Sequence, residues 1–235
     1  MKSAAVSLLA LAALILHGSA HYVFPHLVVK GVESTERQYV RGARNDDIDP
    51  GNTQQAGKTA PLYFDNADST CGWLIENNIK KTETALTHAG EELAFSVQKW
   101  DYRLGYPAPG RDGDIFHQGP AQIYMSRAPN NDLDNYKGDG DWFKIAYYGP
   151  QNDSLWTYGK DSTLWNKYIN FTIPKTTPPG YYLVRVEQFV SLDQYYSQWF
   201  INCAEIRVEG KGGGIPGPFA KFPGTYKGID PGIFI

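Results

Sequence analysis

Apolar and polar residues alternate along several short stretches of the chain, whereas no apolar stripe at helical spacing lasts beyond a few turns. In ELAFSVQKW the apolar residues Leu93, Phe95 and Val97 lie two apart. Successive strand residues point to opposite faces of a sheet, so this run predicts a strand with one buried face. Similar short runs are QIYMS from Gln122, WFKIAYY from Trp142, YINFTIP from Tyr168, YYLVRVEQFV from Tyr181 and QWFINCAEIRVEG from Gln198.

The composition supports an all-β fold. The chain has 24 Gly, 15 Pro and 16 Tyr, residue types that are common in turns and strands. Pro178-Pro179-Gly180 predicts a turn before the strand that follows it. Short strands joined by irregular stretches predict an antiparallel β-sandwich whose long loops carry the function. The Gly- and Pro-rich tail from Gly210 is aromatic enough that we expect it to pack back on the domain.

The first twenty residues have the pattern of a secretory signal peptide. Lys2 precedes the apolar run VSLLALAALIL, and the small residues GSA follow it. The apolar run is too short for a membrane span. The pattern therefore predicts a signal peptide at 1–20, a secreted extracellular protein and one domain at 21–235. Cleavage after Ala20 makes His21 the first residue, with a free amine beside its imidazole.

Charge and cysteine content narrow the partners and the compartment. The formal net charge is -3 with no long run of one sign, so neither nucleic acid nor a membrane is a predicted partner. Cys71 and Cys203 are the two cysteines, and in a secreted chain such a distant pair predicts one disulfide rather than a metal site. Asn152-Asp-Ser and Asn170-Phe-Thr are candidate N-glycosylation sites.

Few residues are available as nitrogen ligands for a metal. His117 precedes Gly119-Pro120, a turn that leads into a predicted strand, so it is either a metal ligand or a hydrogen-bonding loop residue. His26 and His88 lack such a context, and we interpret both as ordinary surface or turn residues. Gln198 and Phe200 share one face of their strand, which opens on a site or on solvent, whereas Cys203 points to the other.

Taken in order, these motifs resemble the fungal auxiliary-activity family 9 lytic polysaccharide monooxygenases, formerly glycoside hydrolase family 61. The resemblance covers nearly all of the chain after residue 20. It implies an immunoglobulin-like or fibronectin-like β-sandwich, a flat polysaccharide-binding face and a Cys71–Cys203 disulfide. The motifs that carry it are the N-terminal His21, Cys71-Gly72-Trp73, GEELAFSVQKW, HQGPAQIYMS, WFKI, INFTIP, PGYYLVRVE, QWFINC and PGTYKGIDPGI.

The same resemblance implies one copper ion per chain. His21 would supply its amine and one ring nitrogen and His117 a third nitrogen, with Phe200 at the axial position where the family usually has tyrosine. Copper binds nitrogen donors strongly in tetragonal geometry and, unlike zinc, changes its redox state. The expected reaction is oxidative cleavage of cellulose or a related β-linked glucan by a monomer that uses oxygen or hydrogen peroxide and an external electron donor.

The sequence departs from the family near this site. The family usually has a further histidine shortly after its R-x-E motif, and that position falls at or next to Leu192 here. Gln198 would then be the remaining donor at the oxygen site, with Asp193 or Glu187 as candidate neighbours. Tyr226 matches a family aromatic that stacks on a glucosyl ring, and Tyr22, Tyr195 and Tyr196 are further candidate contacts.

Two other functions remain open from the sequence. One is a copper- or carbohydrate-binding relative with weak or no oxidative turnover, which the missing histidine would explain. The other is a hydrolase, which would need two carboxylates facing each other across about 5 to 10 Å of a cleft. No motif sets such a pair.

Overall fold

The computed structural model describes residues 22–42, 62–73, 75, 79–101, 106–152, 155–159, 167–190, 197–227 and 230–233. Within these ranges the chain consists of strands, loops and short 3-10 turns, and none of its helices is long and apolar enough to cross a bilayer. The strands are β1 (Tyr22–Val29), β2 (Val32–Glu33), β3 (Ala85–His88), β4 (Glu92–Asp101), β5 (Tyr106–Asp112), β6 (Ala121–Arg127), β7 (Trp142–Tyr148), β8 (Pro150–Asn152), β9 (Leu155–Trp156), β10 (Tyr168–Thr172), β11 (Gly180–Val190), β12 (Gln198–Glu209) and β13 (Phe219–Ala220). The 3-10 turns are Ala67–Ser69, Ile79–Lys81 and Pro129–Asn131.

Two main sheets form a β-sandwich. A five-stranded sheet has the order β10-β4-β1-β2, with β5 also paired to β4, and a six-stranded sheet has the order β13-β7-β6-β11-β12-β3. Strands β8 and β9 form a separate ribbon. The predicted β-sandwich is therefore confirmed. One described pair departs from the antiparallel expectation, because β3 runs parallel to the end of β12.

The main core lies between the two sheets and contains the alternating residues that the sequence pattern predicts to be buried. Leu93, Phe95 and Val97 of β4 face Val184 and Val186 of β11 in one cluster. The side of the six-stranded sheet that lines this cluster is here called its core face. The strand expected after Pro178-Pro179-Gly180 is confirmed, because β11 begins at Gly180, while the hydrogen-bonded turn before it lies slightly earlier, where the Thr177 N–H donates to the Pro174 carbonyl.

The opposite side of the six-stranded sheet, here called its outer face, is also covered by protein. Leu183 and Cys203 pack there with Phe222 of the tail, and Trp199 and Ile201 pack with Leu62 and Ile233. The disulfide between Cys71 and Cys203 ties the 62–73 segment to β12. In the loop-entropy model, closing a loop of this length contributes about 5 kcal/mol. The tail thus packs back on the domain, as its sequence predicts.

The strand β1 is an element that the sequence patterns above do not predict. Its pairing with β4 shifts register between Val23 and His26, where Pro25 lacks an N–H to donate. The interruption obscures the period-2 pattern of YVFPHLVV. Beyond it, β1 lies along β4 with Phe24 and Leu27 fully buried, so the start of the described chain is fixed to the sandwich.

Candidate metal centre

His117 lies in the turn that leads into β6, next to the end of β11. Gly119 passes so close to β11 that an added Cβ would lie 1.9 Å from the carbonyl oxygen of Phe189. The backbone N–H of Phe189 in turn donates to the carbonyl of Pro120 at 3.2 Å. Only glycine fits this close approach. The HQGP sequence therefore places the His117 imidazole at one end of the sandwich. The prediction that Gly119-Pro120 leads into a strand is confirmed, because β6 begins at Ala121.

Aromatic rings hold the half-buried imidazole of His117. The ring of Phe200 stacks on it with centroids 5.4 Å apart and an interplanar angle of 15°, and the edge contact with Phe116 measures 5.3 Å. Tyr22 stacks on the other ring partner, Phe200, at 4.0 Å, and its centroid lies 6.0 Å from that of His117. The structure thus brings together His117, the predicted axial residue Phe200 and the neighbour of His21. His21 itself lies outside the described residues.

Hydrogen bonds hold the main chain of His117, in addition to the aromatic contacts that hold its imidazole. The side-chain amide of Gln188 donates to the His117 carbonyl at 3.0 Å, and the Tyr22 hydroxyl donates to the Gln188 amide oxygen. Burial raises the pKa of Tyr22 well above its usual value, and a hydrogen bond from the His117 backbone lowers it in part. The phenol is therefore neutral and remains a donor. Because Tyr22 is 1 % exposed, it is not the sugar contact that the sequence analysis considered.

Gln198 lies on the face of β12 that the sequence predicts, because Phe200, two residues further on, belongs to the main core. Its side-chain oxygen is buried and accepts no hydrogen bond from the described residues. An unsatisfied buried acceptor costs about 1 to 3 kcal/mol, and such an atom in a native structure needs an explanation. A polar group or small molecule at the end of the core, close to His117, would supply the missing donor.

These donors suit copper. His117 offers an imidazole whose Nε2 atom is buried, and residue 21 would add an amine and a second imidazole. Nitrogen donors of this kind favour copper over the other first-row divalent metals. Among the described residues, no three His, Cys, Asp or Glu side chains lie close enough to bind a metal ion. A complete set would need residues outside the described part of the chain, and His21 is the one that the sequence predicts.

Neither of the other two described histidines belongs to this centre. The Nδ1 atom of His26 lies 2.9 Å from the backbone oxygen of Ser34, and His88 pairs with Glu91 on the surface. Both contacts fit the ordinary roles that the sequence analysis assigned to these residues. Leu192, where the sequence analysis expects the family histidine to be replaced, lies outside the described residues, as do Asp193, Tyr195 and Tyr196.

Glu187 and Tyr226 lie on the outer face of the six-stranded sheet rather than beside Gln198. Glu187 is fully buried, pairs with Arg185, and accepts hydrogen bonds from Tyr226 and, at 2.9 Å, from Gln122. Gln198 and Phe200 lie on the core face of the sheet, whereas Glu187 lies on its outer face. The expectation that Glu187 lies beside Gln198 and assists it is therefore wrong.

The half-buried Tyr226 turns its hydroxyl into the protein. Its ring packs on Trp199 with centroids 4.8 Å apart, and burial raises its pKa well above the usual value, with the Glu187 carboxylate raising it further. The hydroxyl is therefore neutral and donates to Glu187. Sugar stacking by the accessible part of this ring stays a prediction.

The two candidate glycosylation asparagines are both exposed. Asn170 lies on β10, an edge strand of the five-stranded sheet, and Thr172 of the same sequon points to the same exposed side. Asn152 ends the short strand β8, and the remainder of its sequon lies outside the described residues.

Comparison with known proteins identifies the class. Residues 21–235 match the model of Auxiliary Activity family 9 (formerly GH61). The chain is 46 % identical over 220 residues to AA9 family lytic polysaccharide monooxygenase U of Thermothielavioides terrestris, which covers 91 % of this chain and 80 % of that protein. The chain belongs to Auxiliary Activity family 9 and is a lytic polysaccharide monooxygenase of that family, a group of copper enzymes.

Solved structures support the same fold. The structure of HiLPMO9B superposes with a TM-score of 0.69 at 20 % identity, covering 92 % of this chain and 91 % of that one. A cellulose-active polysaccharide monooxygenase from M. thermophila gives a TM-score of 0.66 at 20 % identity, with 91 % and 90 % covered. At this identity the comparison establishes the sandwich alone.

Proposed function

We propose that the chain is a secreted enzyme that binds one copper ion through His21 and His117 and cleaves cellulose or a related β-linked glucan by oxidation. The observation that carries this proposal is the contact between the Tyr22, Phe200 and His117 rings. Because Tyr22 follows His21 directly, this contact supports a site in which the N-terminal amine and both imidazoles approach one another. The one disulfide supports passage through an oxidising compartment.

The residues of the chain have distinct parts in this proposal. The α-amine, with an ordinary pKa of about 7.7 to 8.0, loses its proton on binding near neutral pH. When bound, the copper would supply the redox chemistry that activates oxygen or hydrogen peroxide, with electrons from an external donor. Phe200 would offer the copper no hydroxyl ligand, and it supports the His117 ring by packing. Gln198 orients the oxidant through its side-chain amide.

Copper titration tests the metal site. We expect tight binding of one ion by protein that begins at His21, and binding weaker by orders of magnitude when one extra residue precedes it, because the amine becomes an amide. His117→Ala should also impair binding. His88→Ala is the matched control, since it removes an imidazole that pairs with Glu91 at the surface. Equal affinities of the extended and processed forms would refute the site.

Product analysis then separates the candidate reactions. Incubation with cellulose, copper and a reductant should yield oxidised chain ends, detected by mass spectrometry. Tight copper binding without products would favour the second candidate, a binding relative with little turnover, which the expected loss of the family histidine near Leu192 would explain. Unmodified reducing ends without copper would indicate hydrolysis. Against hydrolysis, the Glu187 carboxylate is buried and paired with Arg185.

Tyr226 and the two sequons complete the proposal. The accessible part of the Tyr226 ring is a candidate sugar contact, and Asn152 and Asn170 are candidate glycosylation sites on the surface. Neither asparagine lies on the strands that surround His117.

A further inference from the structure

Two hydrogen bonds connect the backbone of His117 to β1 through one side chain of β11. The Gln188 amide nitrogen donates to the His117 carbonyl at 3.0 Å. The Tyr22 hydroxyl donates to the Gln188 amide oxygen. Gln188 thus holds the His117 main chain, and Tyr22 of β1 holds Gln188; these two bonds are here called the hydrogen-bonded chain.

The hydrogen-bonded chain is formed by buried side chains of two strands. Gln188 is fully buried and Tyr22 nearly so. Gln188 pairs with Ala121 of β6 on one side and Phe200 of β12 on the other, so its strand lies in the interior of the sheet. Side chains on interior strands hold positions more precisely than side chains on loops. The loop residue His117 therefore takes its place from two strands.

Tyr22 has a second property that matters for the site. It directly follows His21, and its ring stacks on Phe200, which itself stacks on the His117 imidazole. Displacement of the His117 backbone away from β1 would break the hydrogen bonds from Tyr22 to Gln188 and from Gln188 to His117. These bonds thus couple the position of the N-terminal strand to the position of the loop ligand.

We propose that Tyr22 and Gln188 are positioning residues, which hold the His117 backbone at a fixed distance from the N-terminal residue so that their nitrogen donors meet in one arrangement. This proposal rests on the proposed copper site. Preorganised ligands do not lose conformational freedom on binding, and groups behind a metal ligand commonly change affinity by about 10- to 100-fold.

The test uses Tyr22→Phe and Gln188→Met in processed protein that begins at His21. Tyr22→Phe removes one oxygen and keeps the stacked ring, and Gln188→Met keeps the length of the side chain without its amide. Each should weaken copper binding, measured by calorimetry, by about 10-fold or more, and should alter the Cu(II) electron paramagnetic resonance spectrum. Because both residues act through the same two hydrogen bonds, the losses in the double variant should be less than additive.

Tyr182→Phe is the matched control. Tyr182 is also buried, but its hydroxyl donates to Pro178 at the opposite end of the sandwich. This variant removes a similar hydrogen bond, so it should lose stability while keeping the parental copper affinity and spectrum. If Tyr22→Phe and Gln188→Met behave like Tyr182→Phe, they have only a structural role and the positioning proposal is wrong.

Hydrogen exchange of the metal-free protein separates this proposal from the proposed function. Tyr22→Phe should accelerate exchange of the Phe189 amide, which follows Gln188 and donates to Pro120 in the turn after His117, whereas Tyr182→Phe should not. If the parent binds copper and both variants match it, only the positioning role fails. If the parent binds no copper, the proposed function fails and the positioning role fails with it. Exchange rates would still report whether the hydrogen bonds between Tyr22, Gln188 and His117 form.

Discussion

The two faces of β11 and β12 solve different problems with neighbouring residues. On the outer face, Arg185 pairs with Glu187 and donates to the backbone oxygens of Ser69 and Thr70 at 2.9 and 2.8 Å. Its guanidinium also lies 3.8 Å from the centre of the Phe222 ring. The contacts with Ser69, Thr70 and Phe222 attach covering segments to the sheet. At Arg185 and Glu187 the outer face is therefore charged, buried and hydrogen-bonded.

The core face at the same end of the sheet is neutral. Gln188 bonds to Tyr22 and His117, the Phe200 ring supports the imidazole, and the buried Gln198 oxygen accepts no hydrogen bond from the described residues. On the outer face, charged groups attach covering segments to the sheet. The core face instead combines support for His117 with an acceptor that has no donor among the described residues. Substitutions on the two faces should accordingly separate stability from metal chemistry.

The largest expected effect is on the outer face. Arg185→Met leaves Glu187 buried without its cation, which costs about 3 to 5 kcal/mol of unfolding free energy. Urea denaturation monitored by tryptophan fluorescence would measure the loss.

The double variant Arg185→Met with Glu187→Gln is its control, because it removes the unpaired charge together with the cation. It should recover part of the lost stability. A loss below about 1 kcal/mol in the single variant would show that the pair contributes little, as exposed pairs do.

On the core face, Gln198→Ala should have the opposite signature. It removes an unsatisfied acceptor, so we expect little change in stability and unchanged copper affinity. Oxidation of cellulose should slow by about 10- to 100-fold if the amide orients the oxidant. Rates under matched copper and reductant would test this, and a parental rate would exclude Gln198 from the oxygen site.

Leu192→His should raise the rate of cellulose oxidation if the histidine donor reaches that site.

Much of the fold was predictable because its strands keep a clear period of two. Leu93, Phe95 and Val97 are buried as their alternation predicts, and Gln198 and Cys203 point to opposite faces. The pattern failed for β1, where Pro25 interrupts the register, and for the parallel contact of β3 with β12, which depends on packing far along the chain. Local sequence carries no signal for such a distant pairing.

The site was predictable only in part, because its ligands come from a turn while its support comes from distant strands. His117 stood out through the Gly119-Pro120 turn, but nothing local linked it to Gln188. One signal was available: Glu187 and Gln188 are consecutive polar residues in a strand whose other charged residue is Arg185. Since consecutive residues face opposite sides, a strand buried on both faces must provide partners for a polar group on each. The structure shows these partners.

A smaller effect is expected at Tyr226, where attachment and sugar binding can be separated. Tyr226→Phe removes the hydrogen bond to Glu187 and should cost about 1 to 3 kcal/mol of unfolding free energy, while the ring that would contact a sugar is kept. Binding to cellulose should then stay at the parental level in pull-down assays. Tyr226→Ala should lose both stability and cellulose binding. Parental binding by the alanine variant would assign the ring to attachment alone.

The smallest effect should come from β10, the edge strand of the five-stranded sheet, which contributes neither to the Arg185 pair nor to the Gln188 support. Thr172→Val keeps a β-branched residue at an exposed position of β10 but destroys the sequon of Asn170. If Asn170 is glycosylated, protein secreted from a fungal host should lose the mass of one glycan. Asn152→Gln is the matched change at the other sequon and should leave the Asn170 glycan in place. Both variants should keep the parental copper affinity, and their unfolding free energies after enzymatic deglycosylation should agree with the parent within about 0.5 kcal/mol. An unchanged mass for Thr172→Val would show that Asn170 is unmodified, whereas a changed copper affinity would show that β10 is coupled to the site more closely than the contacts of His117 indicate.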